Sequence, residues 1–143
     1  CREPAMTIDL LPTIAHLAKA NLPKHTIDGQ NIWPLFTEDG VPSPQEAYYL
    51  YYGNQLQAIR QGKWKLHFPH GYRTMNGRPG GKGGIPTNYS QAKIGLSLFD
   101  LRQDIGESKD LKDKHPKVVQ RLSQLGKDFD EALKKNKRPA GKI

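Results

Sequence analysis

The residues with the clearest chemical potential are four side chains in the run HFPHGYR: His67, His70, Tyr72 and Arg73. Arginine offers a planar fork of hydrogen-bond donors that suits anions, and histidine donates or accepts according to its protonation. This set predicts a surface that binds an anion or a sugar, and these four are the candidate binding residues. The competing interpretation is that the two histidines are hydrogen-bonded within the fold and bind nothing else.

The sequence contains no recognisable nucleophile motif or metal-binding motif. The H-x-x-H spacing of His67 and His70 lacks the nearby carboxylate or cysteine of a zinc site. Cys1 is the only thiol, and nothing in the sequence pairs it with a base. A G-x-S-x-G motif is absent. The glycine-rich run 78–84 does not end in Lys-Ser/Thr or open a helix, so a phosphate-binding loop is not indicated. We therefore predict no catalytic and no metal-ligating residue in this chain.

The element that must position these side chains is an antiparallel meander over residues 48–68. Gly53 and Gly62 each lie in a two-residue break, and glycine adopts the positive φ of such hairpin turns at little cost. In the last run, 63–68, polar and apolar residues alternate as KWKLHF, which predicts one buried face and one wetter face. Residues 97–101 are predicted to supply a fourth strand.

Residues 69–94, which follow the meander, are predicted to form one long loop. Six of the fourteen residues from 71 to 84 are glycine, and no regular element is expected at that density. A loop of this length in a compact domain tends to be functional or disordered.

The strongest helical pattern covers residues 116–134. Pro116 suits the first helical position, and the apolar residues step by three or four along one stripe, which we expect to pack on the apolar face of the meander. The stripe consists of Val118, Leu122, Leu125, Phe129 and Leu133.

A second helix is predicted over residues 8–20. Because proline removes a helical hydrogen bond, we expect a 3₁₀ or irregular entry over 8–11 and place Pro12 in the first true turn. A short helical piece is predicted at 32–36. The run EDGVPSP, at 38–44, is predicted to connect two parts of the chain.

The net charge of +8 is concentrated towards the C-terminal end. Residues 1–45 carry 3 basic and 5 acidic groups, residues 46–108 carry 8 and 4, and residues 109–143 carry 11 and 5. A basic segment of this kind binds nucleic acid or acidic polysaccharide in some proteins and is a solvated helix face in others. No run approaches the roughly 20 apolar residues of a membrane span.

Five phrases in a fixed order carry a family resemblance: TIDLLPTIAHLA, IDGQNIWPLF, LQAIRQGKWKLHF, LFDLRQDIGE and KHPKVVQRL. Together they resemble the C-terminal region of arylsulfatase-type sulfatases, related to arylsulfatase A and N-acetylgalactosamine-6-sulfatase within the alkaline-phosphatase-like superfamily. The resemblance implies an α+β fold, in which a four-stranded antiparallel sheet is packed by a long C-terminal helix. Residues 1–45 would be the last helix and connector of the larger α/β sulfatase domain, and residues 46–143 the small C-terminal domain.

The resemblance also implies a function for the complete protein, which would hydrolyse sulfate esters, with sulfated glycans as plausible substrates. Formylglycine and calcium are implied for that full-length enzyme. Family members make formylglycine in the motif C/S-x-P-x-R, which the run from Cys1 to Pro4 does not match, so no catalytic or metal residue is carried over. The partners implied are the N-terminal sulfatase domain and the sulfated substrate, without nucleic acid or membrane. A periplasmic or secreted location is expected.

Within the resemblance, residues 69–94 correspond to a loop that walls the substrate cleft, so His67, His70, Tyr72 and Arg73 become candidate substrate-binding residues. The chain would then complete the fold and the cleft without being catalytic alone. The principal alternative is a free-standing basic module that binds nucleic acid or acidic polysaccharide. A further alternative is a purely structural docking domain.

Overall fold

The computed structural model describes residues 3–137. The chain forms two compact units, Cys1–Glu46 and Ala47–Ile143. The first unit contains a 3₁₀ turn and two short helices. The second contains six strands and one long helix. In chain order the elements are the 3₁₀ turn Thr7–Asp9, α1 Leu10–Leu17, α2 Trp33–Thr37, β1 Tyr48–Tyr52, β2 Gln55–Gln61, β3 Trp64–His67, β4 His70–Thr74, β5 Ser90–Ile94, β6 Ser97–Asp100 and α3 Pro116–Asn136. No helix among the described residues is long and apolar enough to cross a bilayer.

The first unit is organised around the buried carboxylate of Asp9. Its Oδ2 accepts from the Met6 backbone N–H at 2.9 Å, and its Oδ1 accepts from the backbone N–H of Gln30 and the side-chain amide of Gln45, at 2.9 and 2.7 Å. The predicted 3₁₀ entry and the position of Pro12 in the first turn of α1 are confirmed. The helix ends at Leu17, before the predicted 20, because the chain turns through a positive φ at Lys19.

The four-stranded antiparallel sheet has the order β1-β2-β3-β6. The predicted meander and the predicted fourth strand are both confirmed. Gly53 and Gly62 occupy the turns with φ of 59° and 55°, values that other residues adopt only at a cost. The α+β fold is therefore the one expected from the sequence.

The core lies on one face of this sheet, beneath α3. Ile59, Leu66 and Leu98 are aligned across β2, β3 and β6, and Leu122 of the helix packs against them, all with no exposed surface. Burying each of these side chains contributes roughly 1.5–3 kcal/mol. The prediction that the helical stripe packs on the meander is confirmed.

Two contacts extend the helix–sheet interface beyond this core. The rings of Tyr49 and Phe129 stack with centroids 3.6 Å apart. At Gly126 the helix lies so close to the Phe68 side chain that a Cβ atom on residue 126 would be 2.8 Å from Cζ of Phe68. A glycine inside a helix costs up to about 1 kcal/mol of helix propensity, and here it permits the close packing.

The predicted long loop over 69–94 is wrong at both of its ends. The segments HGYRT and SQAKI form β4 and β5, which pair as an antiparallel hairpin separate from the main sheet. The prediction treated the glycine content as uniform over the whole segment. Most of these glycines instead lie in the hairpin tip, where Gly77, Gly83 and Gly84 have positive φ. The tip itself contains two tight turns, closed by the backbone hydrogen bonds from Arg78 to Met75 and from Ile85 to Lys82.

The free edge of β6 is covered by the loop that follows it. The Leu98 N–H donates to Oδ1 of Asp110 at 3.0 Å, and the Leu111 N–H donates to the Leu98 carbonyl at 2.8 Å. An unpaired strand edge is a template for aggregation, so this cover satisfies the backbone and protects the edge. Lys112 also donates to Asp110, from its backbone N–H and from its ammonium group.

We predict that Leu122→Ala lowers the free energy of unfolding by about 2–5 kcal/mol, because it opens a cavity between the helix and three strands. Urea unfolding of the chain measures this change. Gln120→Ala, on the exposed side of the same helix, is the matched control and should stay within about 0.5 kcal/mol of wild type. Equal stability of wild type and Leu122→Ala would contradict the packing described.

A second prediction concerns acid stability at Asp110. Burial alone would raise the pKa of this carboxyl, but the hydrogen bonds from Leu98 and Lys112 outweigh burial and lower the pKa to about 2. A pKa below the unfolded value of about 3.9 means that the stabilisation is fully present above pH 4 and is lost as the pH falls towards 2. We expect about 1–2 kcal/mol after allowance for solvent screening.

The measurement is the free energy of unfolding between pH 5 and pH 2. Asp110→Asn should flatten its decline in this range. Asp113→Asn removes an exposed carboxylate from the same loop and should leave the decline unchanged. If the free energy of unfolding of Asp110→Asn declined with falling pH as steeply as that of wild type, the Asp110 carboxylate would not stabilise the loop at the edge of β6.

Candidate functional site

The structure brings together three of the four candidate residues where β3 passes into β4. His67 is the last residue of β3, and His70 and Tyr72 alternate along β4. The rings of His67 and His70 stack with centroids 5.4 Å apart and an interplanar angle of 21°. The rings of His70 and Tyr72 meet edge to face at 6.3 Å. These three rings form a continuous polar and aromatic surface, which we call the histidine–tyrosine surface.

Arg73 lies on the opposite face of the β4–β5 hairpin. Neighbouring residues of a strand point to opposite faces, so Arg73 cannot share a face with Tyr72. It pairs across the hairpin with Gln91, and both residues are exposed. The four candidates therefore divide into a surface of three residues and one separate cation.

His67 is held by a carboxylate that sequence reasoning did not identify. Its Nε2 lies 2.6 Å from Oε2 of Glu107, and the other oxygen of this carboxylate accepts from the Lys65 ammonium at 2.5 Å. Lys65 and His67 are two positions apart on β3, so both side chains lie on the face of the sheet opposite the Leu122 core. The edge of the His67 ring packs against Phe99 at a centroid distance of 5.7 Å.

The protonation of His67 follows from its surroundings. Burial lowers the pKa of His67 below its ordinary value and outweighs the hydrogen bond to Glu107, which acts in the opposite direction. In the neutral ring, Nε2 carries the proton that it donates to Glu107, and Nδ1 is left as an acceptor. Within residues 3–137, this buried Nδ1 has no hydrogen-bond partner.

His70 is oriented by the backbone of the residue between the two rings. Its Nδ1 lies 2.7 Å from the carbonyl oxygen of Phe68. A carbonyl only accepts, so Nδ1 must carry the proton, and Nε2 is the ring nitrogen left for a ligand. A neutral ring would accept there from a sugar hydroxyl, and a protonated ring would donate to an anion.

Glu107 reaches His67 because its own backbone is in a left-handed conformation, with φ of 54°. This conformation is uncommon for a residue with a side chain. The loop is held in place by Asp104, whose carboxylate accepts from the backbone N–H groups of Ser108 and Lys109 at 2.7 and 2.8 Å. No sequence pattern links Glu107 to a strand 40 residues earlier.

The described residues do not fit the calcium ion that the resemblance implies. Within residues 3–137, no three His, Cys, Asp or Glu side chains are close enough to share a metal ion. Cys1, whose thiol is considered above as a nucleophile, lies outside the described residues. The histidine–tyrosine surface offers ring nitrogens and a phenol, and the Arg73 guanidinium lies on the other face of the hairpin.

The chain is similar to the C-terminal regions of known sulfatases. A family model described as the C-terminal region of aryl-sulfatase matches residues 43–142. Arylsulfatase A of Bos taurus is 34% identical over 148 residues, which cover 92% of this chain and 28% of that protein. The chain thus spans little more than a quarter of this curated relative.

Solved structures share the fold at lower identity. The PsFucS1 sulfatase from Pseudoalteromonas sp. superposes with a TM-score of 0.68 at 16% identity, over 94% of this chain and 26% of that chain. A structure from work on the metabolism of multiple glycosaminoglycans by Bacteroides thetaiotaomicron superposes with a TM-score of 0.65 at 24% identity, over 90% of this chain and 26% of that chain. With the family model matching most of its length, the chain belongs to the family of arylsulfatase C-terminal regions.

Proposed function

We propose that this chain is the C-terminal part of a sulfuric ester hydrolase that acts on sulfated glycans, and that it recognises substrate without carrying the reaction. The observation that carries the proposal is the family match over residues 43–142, in a chain that spans about a quarter of the length of its relatives. A protein of the same fold was solved in work on glycosaminoglycan metabolism, which motivates the choice of sulfated glycans as the substrate class.

The proposal assigns the nucleophile and the metal ligands to a part of the enzyme outside this sequence. In the complete enzyme, formylglycine, where formed, would supply the nucleophile, and calcium, where bound, would stabilise negative charge on the sulfate ester. The residues described here contribute binding and orientation. A periplasmic or secreted location is proposed on the family expectation alone.

Residues 1–45 are proposed to belong to the larger sulfatase domain. Several large apolar side chains of α1 and the turn before it are exposed, including Leu11 at 54% and Ile14 at 61%. A row of exposed apolar residues marks a surface that another structure covers. The missing N-terminal part of the sulfatase is the partner that we propose for it.

The histidine–tyrosine surface is proposed to wall the substrate cleft. The Nε2 atom of His70 and the hydroxyl of Tyr72 offer hydrogen bonds suited to sugar hydroxyls or to a sulfate oxygen. Because His67 is locked to Glu107, its ring serves as a platform that fixes His70. Contacts of this kind are made equally in the ground and transition states, so they affect KM more than kcat.

The alternative of a free-standing module that binds nucleic acid has less support. Such modules interleave basic residues with exposed aromatic rings. In this meander, Tyr49 stacks on Phe129 and Trp64 packs on His115, so these rings belong to the helix–sheet interface. The family match adds no support for nucleic-acid binding.

The experiment uses the complete enzyme with His70→Ala and two substrates, a sulfated oligosaccharide and a small aryl sulfate. We expect KM for the oligosaccharide to rise about tenfold, which corresponds to about 1.4 kcal/mol, with kcat nearly unchanged. The aryl sulfate, which is too small to reach the surface, should be hydrolysed as by wild type. Gln120→Ala, on the exposed side of α3 in the same unit as His70, is the control.

Equal losses on both substrates would show that His70 has a catalytic or folding role. No loss on either would return the histidine pair to a structural role. The chain alone should not hydrolyse the aryl sulfate. Turnover by the purified chain that persists after removal of contaminating sulfatase would contradict the assignment of the reaction to another part of the enzyme.

A further inference from the structure

We propose that the outer face of the β4–β5 hairpin binds a sulfate group of an extended, sulfated polysaccharide, separately from the histidine–tyrosine surface. This basic hairpin face consists of Arg73, Gln91 and Lys93 on the strands. Two further cations, Arg78 and Lys82, lie at the tip of the hairpin. The inference rests on the proposed function, which makes a sulfated glycan the substrate, and adds a second contact that selects for long chains.

The β4–β5 hairpin carries an excess of positive charge. Between Phe68 and Asp100 the sequence contains four basic residues and no Asp or Glu. All four basic side chains are exposed. Elsewhere in this unit the cations Lys63, Lys65 and Lys134 form ion pairs with carboxylates. A hairpin that carries only positive charge repels itself unless an anionic partner is present.

The pairing of the two strands places two of these cations on the same face. Gly71 pairs with Lys93 and Arg73 pairs with Gln91, so Arg73 and Lys93 are diagonal neighbours on one face. Diagonal neighbours on adjacent strands are about 7–8 Å apart, close enough for two cations to share one anionic group. The glycine at 71 leaves the Lys93 side chain without a bulky cross-strand neighbour. Gln91 adds an amide that can bond to a sugar hydroxyl.

The tip of the hairpin is a folded structure. Arg78 donates from Nε to the Met75 carbonyl at 3.2 Å and from its guanidinium to the Ser90 hydroxyl. Gly81 approaches the backbone of Ile85 so closely that no side chain would fit there. Arg78 and the backbone of the tip are therefore held in place before a ligand binds, which reduces the entropy lost on binding.

The composition of this face favours a sulfated polysaccharide over nucleic acid. Single-stranded nucleic acids are bound by aromatic rings that stack on the bases, interleaved with positive charge. The strand positions of the outer face carry Gly71, Arg73, Gln91 and Lys93, with no aromatic residue, and Tyr72 lies on the other face. An arginine fork with a lysine and an amide suits sulfate and hydroxyl groups along a sugar chain.

The test measures binding of the 143-residue chain to heparin by calorimetry at two salt concentrations. The double variant Arg73→Gln/Lys93→Gln should weaken heparin binding about tenfold and flatten its salt dependence. Lys117→Gln/Arg121→Gln, which removes the same charges from the exposed side of α3, should weaken binding less than twofold. Arg78 is left intact because it also bonds within the tip. Unchanged thermal unfolding verifies that each variant is folded.

Further ligands decide between the possible partners. Desulfated heparin should bind much more weakly than heparin. Equal weakening by the two double variants, equal affinity for duplex DNA or for phosphatidylserine vesicles, or no binding of heparin would each overturn the proposal. Because binding is measured without hydrolysis, its failure is distinct from that of the proposed function, which depends on the effect of His70→Ala on turnover.

Discussion

The candidate site depends on the hydrogen bonds that the Glu107 carboxylate accepts from Lys65 and His67. One oxygen accepts from Lys65 and the other from His67, and both partners project from the same face of β3. A half-buried ammonium group left without this carboxylate would be strongly unfavourable. The loop after β6 is thereby tied to the middle of the sheet. The His67 ring, once fixed, supports His70 and with it the first residue of the hairpin.

The two faces of the sheet are stabilised by different physical effects. On one face, Leu122 and its neighbours exclude water beneath α3, and hydrophobic burial dominates. On the other face, β3 presents Lys65 and His67, whose polar groups require defined partners. The apolar face fixes the fold, and the polar face gives it a surface that can recognise a ligand. A two-stranded hairpin is marginal by itself, and the stacking of His70 on His67 is one contact that joins this hairpin to the polar face of the sheet.

The sequence predicts the sheet and the long helix well because their patterns are local. The strict alternation in KWKLHF identifies the buried face, and the stripe ending at Leu133 identifies the packed side of α3. The hairpin was missed because glycine at the tip obscured the strand patterns that flank it. Once β4 is known to be a strand, the alternation of its side chains places Arg73 on the face opposite His70 and Tyr72. Glu107 could not be predicted, because its contacts depend on a left-handed backbone and span 40 positions of sequence.

We propose that, in this C-terminal arylsulfatase region, ligand recognition is divided between the two faces of one hairpin. The histidine–tyrosine surface offers directional hydrogen bonds, and the basic hairpin face offers charge. Such a division would let an enzyme test both the sugar next to the reacting ester and the anionic chain beyond it. The His67 ring contacts the first residue of this hairpin through its stack on His70.

The most direct test of this anchoring is a pH titration of the imidazole nitrogens of the chain by nuclear magnetic resonance. The structure predicts that the pKa of His67 lies below its ordinary value and that the neutral ring carries its proton on Nε2, bonded to Glu107. A His67 ring that titrates at or above the ordinary value of about 6.5, or that carries its neutral proton on Nδ1, would contradict the account.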